Sequence, residues 1–122
     1  MKIEVGEWIR SKDGFIGKVQ KINYDNMEKS NYYICEKDNV MASNYLENIA
    51  KHSKQLIDLI EVGDIVEIRT GLYSSFKYFV ENEDNLLLLE EKVKQFWNIQ
   101  TILTKESYMA NCYKVGGEED EV

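Results

Sequence analysis

His52, the only histidine in the chain, is followed directly by Ser53, and this is the nearest approach in the sequence to a nucleophile beside its base. Imidazole is the commonest general base near neutral pH. Adjacent residues rarely face each other, however, and no third group is spaced to orient them. The pair is better explained as polar residues at the entry to a short helix. Carboxylates cluster at Glu81, Glu83 and Asp84, at Glu90 and Glu91, and over residues 118–121. Acid–base hydrolysis needs two carboxylates in a cleft that drives their pKa values apart. These runs fall instead in expected turns and an acidic tail, where water solvates them, and their spacing misses the calcium-loop pattern. Cys35, His52 and Cys112 are too scattered for a zinc motif. Gly14-Phe15-Ile16-Gly17 lacks the spacing and the Lys-Ser/Thr ending of a phosphate loop and precedes a strand. No catalytic residue, metal ligand or cofactor is expected.

Charge narrows the partners. The net charge is −7, with 15 basic side chains spread along the chain. Nucleic-acid binding requires a basic stripe that displaces counterions. Here it would need a local face such as Arg10, Lys12, Lys18 and Lys21, so direct nucleic-acid binding is disfavoured. An acidic surface suits a protein partner with a basic surface. Met1 to Glu7 has no apolar signal region, and no apolar run approaches a membrane span. The expectation is a cytosolic protein with no membrane association. Its thiols would be reduced, with Cys35 and Cys112 acting as small apolar side chains.

The elements that would carry these residues are mostly strands. Proline is absent and Tyr is abundant, at 8, which favours β structure. Trp8-Ile9-Arg10 alternates as a strand, Lys12-Asp13-Gly14 is a turn, and Ile16 to Ile22 is a second strand that Gly17 would bend. Asn23 to Ser30 is expected as a loop, Asn31 to Glu36 as a strand, and Val40 to Leu46 as another. Ser53 could cap a short helix over 54–59. Ser74 to Val80 alternates, and Glu81 to Asn85 has the composition of a turn. Residues 86–97 fit two descriptions. Leu86, Leu89, Val93, Phe96 and Trp97 have helical spacing, and a strand–turn–strand fits as well.

An internal echo favours the second description. Ile3-Glu4-Val5-Gly6-Glu7 returns as Ile60-Glu61-Val62-Gly63-Asp64. Downstream, Asn48-Ile49 leading to Ser53-Lys54-Gln55 is matched by Asn98-Ile99 leading to Thr104-Lys105-Glu106. Two tandem small-barrel repeats sharing a core are therefore expected, residues 1–59 and 60–116, with an acidic tail at 117–122.

Aromatic side chains are the best binding signal. Two small cores cannot easily hide them all, and Tyr32 and Tyr33, if in a strand, point to opposite faces. Trp8, Phe15, Tyr32, Tyr33, Tyr73 and Trp97 are the candidate binding surface, since Trp and Tyr are frequent interface anchors.

The opening Val5-Gly6-Glu7-Trp8-Ile9-Arg10, with Gly14-Phe15-Ile16-Gly17-Lys18-Val19, resembles the start of KOW and Tudor-type SH3-like barrels. This implies a mainly β fold of two SH3-like repeats with one or two short helices. The same opening, with Lys51 to Asp64 and Ile102 to Glu106, also resembles small phage and prophage proteins of Firmicutes; the chain departs from that pattern at Ile65-Val66-Glu67-Ile68. No functional residue can be carried over. The resemblance implies a non-enzymatic accessory protein of the host bacterial cytosol. Such a protein would bind and modulate a host protein, for example as an anti-CRISPR-type inhibitor of a defence factor, and would be free to form a homodimer.

Overall fold

The computed structural model describes residues 2–37 and 40–111. Its first half is built on the Asp13-Gly14 reversal, where Gly14 takes a φ of 97° that a side chain would strain. β1 (Trp8–Ser11) and β2 (Ile16–Asp25) pair antiparallel across it, with Ile9 opposite Gly17. Gly17 is required by packing: an added Cβ would meet the Phe15 ring at 2.8 Å and Cys35 Cβ at 2.9 Å. β2 alternates buried Gly17 and Val19 with exposed Lys18 and Gln20, then shifts register before Lys21. β3 (Ser30–Lys37) turns Tyr33 and Cys35 inward, and β4 (Val40–Tyr45) follows. After a 3₁₀ turn at Leu46–Asn48, β5 (Ile49–Ser53) returns to β1, so the sheet order is β4-β3-β2-β1-β5. Ile3, Ile9, Val19, Tyr33, Cys35 and Ile49 form its apolar cluster.

A 3₁₀ turn over Leu56–Leu59 leads into the second half. β6 (Ile65–Arg69) is central in a sheet of order β7-β6-β8, with β7 at Ser75–Phe79 and β8 at Asn98–Leu103. Between β7 and β8 runs α1 (Glu83–Gln95), and after β8 comes α2 (Lys105–Asn111). Ile57, Ile60, Val66, Ile68, Val80 and Leu89 form a second apolar cluster. Among the described residues, most of the buried apolar side chains thus fall into two clusters, and Leu59 is buried outside both.

Each half opens with the same device. Glu7 N–H donates to the Glu4 carbonyl at 3.1 Å, and the Glu7 carboxylate accepts from Glu4 N–H at 3.0 Å. Asp64 repeats this on Glu61, at 3.1 and 2.8 Å. Gly6 and Gly63, with φ of 95° and 104°, donate to the carbonyls of Val19 and Val80. In both halves the first strand is flanked by the second and the last. The β3–β4 hairpin of the first half stands where α1 stands in the second.

The expectation of a mainly β chain with short helices is met. Among the described residues, β4 and β5 are the edges of one sheet and β7 and β8 of the other. Several local expectations are corrected. Residues 83–95 form a helix, not strand–turn–strand. Asn82 caps it by accepting from Asn85 N–H at 2.9 Å, and Glu83 and Asp84 favour its N-terminus. The segment Glu81–Asn85 is therefore a helix start and not a turn. The loop at 23–30 is shorter, because β2 runs to Asp25 and β3 starts at Ser30. The helix at 54–59 is only the 3₁₀ turn from Leu56, while the Ser53 hydroxyl accepts from Gln55 N–H and donates to Asp58. Cys112 and the acidic tail lie outside the described residues.

Candidate functional site

A polar network lies where the two halves meet. Arg10, 1% exposed, donates from Nη1 to Asp64 Oδ2 at 2.6 Å and to the Leu59 carbonyl at 2.9 Å. Its Nη2 donates to Asp64 Oδ1 at 3.0 Å and to Glu106 Oε1 at 2.6 Å. Asp64 also accepts from Lys105 N–H. Burial of the guanidinium opposes its charge, and the hydrogen bonds it donates to Asp64 and Glu106 outweigh that effect, so its pKa is raised. Burial likewise opposes ionisation of Glu61, but Lys105 at 2.9 Å, Arg10 and Lys51 at 3.3 Å hold its carboxyl below the ordinary range. Arg10 is therefore structural, and a basic face of Arg10, Lys12, Lys18 and Lys21 loses its arginine.

His52 faces Glu7, not Ser53. Its Nδ1 is 2.6 Å from Glu7 Oε1, and the contact lowers the Glu7 pKa against the opposing effect of burial. Glu7 also caps the Glu4 turn, which gives the pair a place in the frame of β1 and β5. Among the described residues, no group of three or more His, Cys, Asp and Glu side chains could hold a metal ion. No helix there is long and apolar enough to cross a membrane.

The candidate site is a cleft of about 670 Å³ between the two halves. Trp8, Ile16, Gly17, Glu36 and Leu56 line one side. The other is β8, whose residues Ile99, Gln100, Thr101, Ile102 and Leu103 all contribute. Successive strand residues point to opposite faces, so five consecutive lining residues mean that the edge of β8 borders the cleft. Thr104 fixes the geometry at one end: its hydroxyl donates to the Gly14 carbonyl at 2.8 Å and accepts from Ser107 N–H. Lys18 Nζ lies 5.8 Å from the Trp8 ring centroid, over its face. Among the described residues, Glu36 is the one ionisable side chain lining the cleft. The cleft presents apolar side chains and an indole beside the edge of β8.

The six aromatic candidates do not converge. Trp8 lines the cleft. Phe15 packs on the first cluster, and Tyr33 is buried within it. Tyr32 stacks at 5.6 Å with Tyr45, whose hydroxyl donates to Asp25 at 2.7 Å, in a shallow depression at the β2–β3 tip. Tyr73 is 97% exposed in the β6–β7 turn. Trp97 covers the second cluster, edge-on to Phe76 at 5.1 Å and to Tyr78 at 5.6 Å. Aromatic content does not mark the β8 edge. Its signal is Asn98 to Thr104, a stretch without charge or proline in a chain that is 30% charged.

No family model, curated protein or solved structure gives a significant match to the chain.

Proposed function

We propose that this protein is a non-enzymatic interaction module that binds another protein through the cleft between Trp8 and β8. The observation that carries this reading is the pairing of a half-buried indole with an uncharged strand edge across an open cleft of about 670 Å³. Apolar and aromatic clefts of this size are ordinary ligand sites, and Trp is an effective anchor. A charge of −7 favours a partner with a basic surface. The resemblance to small phage and prophage proteins supports a host protein as that partner, in the bacterial cytosol, with inhibition of a defence factor as the outcome. The test is affinity capture from bacterial lysate at low salt, with cross-links through Lys18 mapped by mass spectrometry. The expected partner cross-links beside Trp8 and is lost with Trp8→Ala or at raised salt. Capture that is indifferent to Trp8→Ala overturns the assignment of the cleft.

A further inference from the structure

The β8 edge has the chemistry of a strand acceptor. β8 is hydrogen-bonded to β6 alone among the described residues. Backbone N–H and C=O groups on the outer side of an edge strand are a template for another chain, and proteins ordinarily protect such edges with charge or proline. β8, Asn98–Leu103, carries neither. Edge strands β5 and β7 carry Lys51 and Lys77. β4 is also uncharged, but only Ser43 and Tyr45 of it line a depression. Among the described residues, β8 is the uncharged edge strand that borders a cleft faced by Trp8 and Leu56.

We propose, resting on the cleft as the binding site, that its occupant is an extended basic segment of the partner protein, added antiparallel to β8 as a further strand. Six strand residues span about 20 Å. The register shift against β6 makes Gln100 the extra residue of β8. It sharpens the local twist and leaves Thr101–Leu103 as the regular stretch for pairing. Side chains on one face of the added strand would enter between Trp8 and Leu56, with alternate residues outward, so the segment carries apolar residues at every second position. Charge selects between occupants. Glu36 lines the cleft and the chain carries −7, so a Lys or Arg on the segment is favoured. A second copy would bring −7 to −7 and is disfavoured.

The probe is a displayed library of random linear peptides selected on the full chain at low salt. Enriched peptides are expected to alternate apolar residues, to contain Lys or Arg, and to lose affinity with Trp8→Ala. The deciding measurement is single N-methylation along the best peptide. Strand addition predicts a period of two. Methylation at alternate positions lowers affinity tenfold or more, equivalent to about 1.4 kcal/mol, and methylation at the intervening positions has little effect. Trp8-dependent binding without that periodicity overturns strand addition and leaves the cleft assignment standing. Peptides indifferent to Trp8→Ala overturn both. Failure to enrich any peptide, or concentration-dependent dimerisation of the chain through β8, overturns the proposal of a basic partner segment.

Discussion

Arg10 and Asp64, 54 residues apart, form a two-pronged ion pair with neither side chain exposed by more than 1%, at 2.6 and 3.0 Å. The pair joins the first strand of one half to the opening turn of the other. Asp64 holds its own turn with one oxygen and the start of α2 with the other. Losing Arg10 would leave Asp64 as an uncompensated buried charge.

Arg10→Met is therefore expected to cost about 3–5 kcal/mol, the range for breaking one side of a buried ion pair. Arg10→Lys is expected to fall between, since an ammonium cannot supply the planar fork. Urea denaturation followed by circular dichroism measures both. A loss under about 1 kcal/mol for Arg10→Met would put this pair in the class of surface ion pairs.

What could be read in the sequence was local. Asp13-Gly14 marks the β1–β2 turn, and the Glu4–Glu7 and Glu61–Asp64 motifs mark the two opening turns, because each fold there is dictated by a few adjacent residues. Arg10 reads as a surface residue because its neighbours in sequence carry no partner; Asp64 and Glu106 arrive only through the fold. The apolar run Leu86–Leu89 obscured a helix, since such a run suits either period. The β8 edge was invisible for the same reason as Arg10: whether a strand is central or peripheral depends on pairing, not on its own residues.

The helical assignment of residues 83–95 makes a prediction of its own. Leu89 is 0% exposed in the second cluster, while Leu87 is 61% exposed, two positions away. In a strand those residues would share a face; in a helix they diverge. Leu89→Ala should cost about 2–5 kcal/mol, and Leu87→Ala should stay within about 0.5 kcal/mol. Equal losses in thermal unfolding would contradict the helix.

Glu7 supplies a pH dependence of known sign. Its carboxyl titrates below its ordinary value of 4.5, chiefly through the His52 hydrogen bond, against burial and with help from Glu4 N–H. As pH falls, the unfolded chain takes up that proton first. The stability due to Glu7 is complete above about 4.5 and is lost as pH falls through the lower folded value. Melting curves of the parent and Glu7→Gln should therefore differ most near neutrality and converge in acid. A constant gap across that range would remove Glu7 from the acid response.

Cys35 reports whether the two halves open together. It is buried in the first cluster, and burial pushes its thiol up to about 11. At pH 8 the thiolate fraction is on the order of one in a thousand, and reagents cannot reach it without opening. In a Cys112→Ser background, iodoacetamide should label Cys35 slowly in the native protein and fully in denaturant. Leu89→Ala weakens only the second cluster. If Arg10 and Asp64 couple the halves, a loss of about 3 kcal/mol from Leu89→Ala should speed Cys35 labelling by about a hundredfold. Labelling that ignores Leu89→Ala while responding to substitutions in the first cluster would mean that the halves open independently. The buried ion pair would then align the halves without making them cooperative.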